Sequence, residues 1–149
     1  MVKNMLKISG QIKGILGKGN FWTIKEVETD APIAIEGKNY KNIACKFSNK
    51  KTGGNIGKNL RIYHRIKRAG LPTLQFLKYG LFEHDECLVT ENLNNRPNNY
   101  IPSINEKYLS DHKIQGLIEF KKILNHVKQI VYAATLGKVG LCSDAFFSE

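Results

Sequence analysis

The chain has 149 residues, 42% of them hydrophobic, which bounds it to one core or to two small lobes that share a cleft. It holds no run of about 18 apolar residues, and its opening MVKNMLKISGQIK breaks every apolar pair, so neither a membrane-spanning helix nor a secretory leader is readable and a cytoplasmic protein is expected. The formal net charge of +10 is concentrated: between Gly37 and Phe82 stand eleven basic residues (Lys38, Lys41, Lys46, Lys50, Lys51, Lys58, Arg61, Arg65, Lys67, Arg68, Lys78) and no acid, a field that attracts phosphates, nucleic acid or anionic head groups unless it is only a solvated surface.

In chain order, the first elements read as strands. Leu16 to Ile24 is LGKGNFWTI, either a glycine-rich hairpin or a loop over a nucleotide. From Trp22 to Val27 apolar and polar residues alternate with period two; Ile33 to Ile35 is a short apolar run; Asn42 to Phe47 is a third strand, with turn formers at Gly37, Lys38 and Asn39. An antiparallel meander is expected. After the loop Asn49 to Gly54, Ile56, Leu60, Tyr63 and Ile66 recur at helical spacing, while Lys58, Arg61, Arg65 and Arg68 fall on another face. Gly70 and Pro72 end that helix. Leu74 to Tyr79 and Glu86 to Thr90 read as two more strands joined by a hairpin through Glu83, His84 and Asp85.

Asn92 to Asn105 is rich in Asn and Pro, shows no period and reads as a linker or long loop. Beyond it, Ser110 or Asp111 can cap a helix whose apolar stripe is Leu117, Phe120, Leu124, Val127 and Val131, running to about Thr135. The expected fold class is α+β, with a sheet lobe over 1–93, a linker over 94–109 and a partial helical lobe over 110–149. Cys45, Cys87 and Cys142 are odd in number, far apart and set among apolar neighbours, which favours reduced core thiols over disulfides or a metal site.

These residues and their order resemble the amino-terminal lobe of the protein-kinase-like superfamily, which includes protein kinases, aminoglycoside phosphotransferases and lipopolysaccharide kinases. Gly17, Gly19, Phe21 and Ile24 match its glycine-rich loop, with Trp22 standing where the third glycine belongs; Ile43 to Lys46, IACK, matches its V-A-I-K strand. The resemblance implies that ATP binds, with or without Mg²⁺. In that reading the loop backbone approaches the phosphates under Phe21, Ala44 packs over the adenine, Lys46 contacts the α and β phosphates, and the backbone of Glu91 to Leu93 meets the adenine edge. The phrase RIYHRIKRAGLPTLQFLKYG has the rhythm of the helix and following strand in small-molecule and lipopolysaccharide kinases.

Departures from that pattern are equally specific. The helix glutamate that would pair with Lys46 falls at or near Asn59, so that Glu26, Glu28 or a later carboxylate would have to orient the lysine. The closing GKVGLCSDAFFSE places Gly140, Leu141 and Cys142 at the His-Arg-Asp positions, or Asp144 at the aspartate if two residues are inserted. Asp144 is therefore the one candidate catalytic base, against an ordinary turn aspartate. The expectation is a nucleotide-binding module with impaired catalysis, either a pseudokinase with a protein partner or the amino-terminal piece of a longer phosphotransferase. An atypical active phosphotransferase and a basic nucleic-acid-binding protein are the alternatives; the latter has only Tyr63 as an aromatic on its basic helix. An anionic partner is expected at Lys58, Arg61, Arg65 and Arg68.

Overall fold

A computed structural model describes residues 5–71, 73–95, 121–122 and 124–137. The fold is α+β. Its strands are β1 (Leu6–Ile8), β2 (Gly10–Lys18), β3 (Trp22–Ile35), β4 (Lys38–Ser48), β5 (Leu77–Phe82) and β6 (Asp85–Glu91), with helix α1 (Ile56–Arg68) between β4 and β5 and a 3-10 turn at Leu93–Asn95. A second helix, α2, is described over 121–134 apart from residue 123. The strands form one six-stranded sheet in the order β1-β5-β6-β4-β3-β2. Every neighbouring pair is antiparallel except β1 with β5.

Local chemistry explains the connections. Ile35 pairs with Lys38 across a two-residue turn in which Glu36 and Gly37 have φ of 51° and 79°, the left-handed pair that matches strand twist. Asn55 caps α1 by accepting the Lys58 N–H at 2.8 Å. At the other end Arg65, Lys67 and Arg68 lie in the last turn, favourable against the helix dipole, and Gly70 takes φ 77° as its N–H bonds the Lys67 carbonyl. The exposed faces of Lys58, Arg61, Arg65 and Arg68 agree with the amphipathic reading.

The described residues fall into two compact units, one drawn from 1–63 and 74–99, the other from 64–73 and 100–149. In the first unit, one sheet face carries a core of Ile8, Val27, Ile35, Ile43, Cys45, Phe76, Phe82, Cys87 and Val89. Its opposite face carries Leu77 and Leu88 beneath Tyr63 of α1, with Trp22, Ile56, Leu60 and Leu74 packed around them. The Tyr63 hydroxyl donates to the Leu74 carbonyl at 2.9 Å. In the second unit, Leu124 and Val131 are buried and Val127 half-buried, as the stripe predicts. Leu136 and Gly137 end α2 with φ of 54° and 74°.

Several expectations need correction. Trp22 to Val27 and Ile33 to Ile35 belong to one long strand, β3, whose register against β4 shifts between Glu28 and Ile33, so the polar interval is an irregularity within a strand and not a loop. The sheet is not a pure meander, because β1 pairs parallel with β5. β5 begins at Leu77, three residues later than expected: the Gln75 N–H is taken by the Glu91 carboxylate at 2.9 Å, ahead of the strand ladder. Asn92, expected to open a linker, is 3% exposed. Leu93–Asn95 of that stretch form the 3-10 turn, and the expected linker from residue 96 onward, the cap at Ser110 or Asp111, Leu117, Phe120 and Pro72 lie outside the described residues.

Candidate functional site

The tip between β2 and β3 is a tight turn. Gly17 pairs with Ile24 and Lys18 with Thr23, and the Gly19 N–H then donates to the Trp22 carbonyl at 2.8 Å. That amide is therefore committed to the turn, whereas the N–H groups of Asn20 and Phe21 make no hydrogen bond among the described residues. Segment 49–54 pins the tip from the side. Asn49 donates its backbone N–H to the Phe21 carbonyl at 2.8 Å and its Nδ2 to the Gly19 carbonyl at 2.7 Å; the Thr52 hydroxyl bonds the Asn20 carbonyl, and the Thr23 hydroxyl donates to Asn49 Oδ1 at 2.7 Å. Phe21 stands at the tip, 56% exposed.

Lys46 lies in β4, paired with Ile24 on one side and Leu88 on the other, on the sheet face that α1 covers. Its Nζ donates to Asn59 Oδ1 at 3.4 Å and sits 4.7 Å from the centre of the Trp22 ring. Among the described residues no carboxylate reaches it: Glu26 accepts from Asn92, and Glu28 is exposed opposite Asn42. Asn59 and the indole, not an acid, hold this lysine. Burial without a counter-charge pushes its pKa below the ordinary lysine value of 10.5. The Trp22 ring is turned onto Gly54, where a Cβ would run into it. The large side chain in the third-glycine position thus packs beside the lysine and against Gly54.

Next to Lys46 on the same face, Ala44 is 2% exposed and pairs with Glu26 and Thr90. Thr90 is 7% exposed, and its hydroxyl has no hydrogen-bond partner among the described residues. Such a buried orphan calls for a ligand or water. The sequence marked Thr90 only as a strand residue; its position two places before Asn92, facing Ala44, was the available signal. Glu91 is 7% exposed with its carboxylate on the Gln75 N–H, and Leu93 is half-buried in the 3-10 turn. Asn92 donates Nδ2 to Glu26 Oε2 at 2.9 Å and to Asn42 Oδ1 at 2.8 Å, while Asn95 Nδ2 also reaches Asn42 Oδ1 at 3.0 Å.

Lys46, Ala44, Glu91 and the Gly17 to Phe21 turn thus all belong to the first unit, with Glu91 beside Ile43 on the face opposite Ala44 and Lys46; Trp22 and Asn59, which the motif match marked only as departures, are the lysine's contacts, and the Thr90 hydroxyl and the Asn92 side chain are additions it missed. Asp144 and Cys142 lie outside the described residues. Cys45 and Cys87 are buried free thiols; the hydrogen bond between them and their burial push the Cys45 thiol well above the usual range, so it stays protonated. In the second unit, an open pocket of about 250 Å³ is lined by Arg65, Arg68, Ala69, Ala134, Thr135 and Leu136. Among the described residues no helix is long and apolar enough to cross a membrane, and no group of three or more His, Cys, Asp or Glu side chains converges as a metal site. No protein-family model and no curated protein matches this chain.

Proposed function

We propose that this chain is a kinase-like nucleotide-binding module whose first unit holds ATP, and whose phosphoryl transfer is impaired. The observation that carries the reading is the contact of Lys46 with Asn59: a cationic strand residue meets α1 at the position where the resemblance puts its helix partner. The order of strands, helix, two strands and 3-10 turn supports it.

The residues fit an adenine nucleotide. The Asn20 and Phe21 N–H groups and the Lys46 ammonium are donors suited to phosphate oxygens, Ala44, buried on the same sheet face as Lys46, is the apolar residue that the resemblance sets against the base, and the orphan Thr90 hydroxyl offers one further polar contact. When bound, the triphosphate supplies the transferable group, with Mg²⁺ as the ion its phosphates carry. Asn59 bears no charge, so it holds the lysine without the ion pair that keeps it in register in an active kinase. Catalysis is therefore weak, and Asp144 is the one base proposed for whatever transfer remains. The exposed basic residues Lys58, Arg61, Arg65 and Arg68 serve an anionic partner.

Nucleotide at one hundred times its dissociation constant adds about 2.7 kcal/mol to stability, read as a rise in Tm with ATP or ADP. No shift at millimolar nucleotide, with or without Mg²⁺, refutes the binding reading. Radiolabelled ATP with Mg²⁺ or Mn²⁺ gives at most trace autophosphorylation or transfer; clear turnover abolished by both Lys46→Met and Asp144→Asn refutes the impaired-catalysis reading.

A further inference from the structure

We propose that Trp22, seated on Gly54, positions the Lys46 ammonium for an anionic ligand, in the place where a carboxylate would otherwise hold it. This deepens the nucleotide reading and rests on it only for the identity of the anion.

A half-buried ammonium needs partners, and the described residues give Lys46 two: the Asn59 amide oxygen at 3.4 Å, a long hydrogen bond, and the Trp22 ring at 4.7 Å. The face of an indole is the strongest aromatic partner for a cation. The ring cannot swing away cheaply. On one side Gly54 makes room for it only because it has no side chain. On another, Trp22 is among the residues packed around Tyr63, Leu77 and Leu88. Its backbone is held by the pairing with Ser48 and by the Gly19 N–H. The segment that supplies Gly54 is itself anchored, because the Ser48 hydroxyl donates to the Gly54 carbonyl at 3.0 Å.

The electrical consequence separates this arrangement from an ion pair. A carboxylate at hydrogen-bond distance would cancel most of the lysine's field, whereas a π face and an amide oxygen orient the ammonium and leave its unit charge uncompensated. An incoming phosphate supplies the counter-charge. The Asn20 and Phe21 N–H groups, on the turn that leads directly into Trp22, are donors for the same kind of ligand.

Trp22 is the single tryptophan, so tryptophan emission reports on the surroundings that its ring shares with Lys46. The probes are ATP, adenosine and inorganic tripolyphosphate, titrated by tryptophan emission for the native chain and by calorimetry for the Trp22 variants. Tripolyphosphate and ATP change the emission of the native chain, and Lys46→Met abolishes the change. Trp22→Leu weakens both anions roughly tenfold, while Trp22→Phe, which keeps a ring face, stays within about threefold of native. Adenosine affinity is unchanged in both variants. If Trp22→Leu unfolds, Gly54→Ala, which displaces the ring, gives the second reading with the same pattern expected. Tripolyphosphate binding without ATP binding would refute the nucleotide reading and uphold the lysine clamp. No response to either anion, equal losses for adenosine and ATP, or native anion affinity in Trp22→Leu would overturn the clamp.

Discussion

At the scale of single residues, Lys46 carries a pH signature. Its pKa is lower in the folded chain than the ordinary lysine value, so across the interval between the two values the unfolded chain holds more protons. Stability attributable to this group therefore rises with pH through that interval, and below it the buried charge is a constant liability. Urea midpoints followed from neutral to alkaline pH should climb more in the native chain than in Lys46→Met, and equal slopes would count against a buried, acid-free ammonium. Anion binding runs the other way: it weakens as pH climbs through the same interval, because the neutral amine no longer attracts phosphate. A protein whose lysine was held by a carboxylate would show a raised pKa and neither trend.

At the scale of elements, the polar residues after β6 behave as part of the sheet. Asn92 ties that end to β3 through Glu26 and to β4 through Asn42, and its Oδ1 accepts the Asn94 N–H at 3.1 Å. Asn92→Ala leaves those groups partly unpaired and should cost about 1–3 kcal/mol in urea unfolding. Asn92→Asp should be worse at neutral pH, since it sets a second carboxylate against Glu26, and should recover toward acid pH as one of them takes a proton. Equal stability of the two variants across pH would refute the network. Such a role is invisible in composition, where an Asn- and Pro-rich stretch reads as linker. What was legible had a period: the helical spacing of Ile56, Leu60 and Tyr63 and the stripe of Leu124 and Val131 reappear as buried or half-buried faces, whereas Trp22 and Val27, read as one alternation, fall on opposite faces of the sheet. What was not legible had none. β2 exposes Ile12 and Ile15, so no buried face disciplined its sequence, and the parallel pairing of β1 depends on a partner more than seventy residues away. The site was legible as far as Lys46 and its meeting with Asn59. Trp22 was legible only as a departure at the third-glycine position, because the direction of its ring is set by Gly54, a residue thirty-two positions later.

At the scale of the whole molecule, the question is whether the charge of +10 acts as a diffuse field or through α1. A diffuse field depends on net charge alone, and any four reversals should weaken polyanion binding alike. A local site depends on where charges stand. Lys58, Arg61, Arg65 and Arg68 recur at three- and four-residue intervals on one helix, all exposed, and Arg65 and Arg68 line the open pocket of the second unit. Charges this close act together within a Debye length of about 8 Å at physiological ionic strength, whereas scattered ones are screened from one another. Reversing these four to Glu should therefore lower the salt concentration at which the chain elutes from heparin much further than reversing Lys7, Lys13, Lys18 and Lys41, which are also exposed but lie on strands or strand ends. Both variants carry the same net charge, so the comparison isolates position. Equal elution of the two would reduce the basic face of α1 to part of a general surface field, and retention indifferent to salt would remove the electrostatic account altogether.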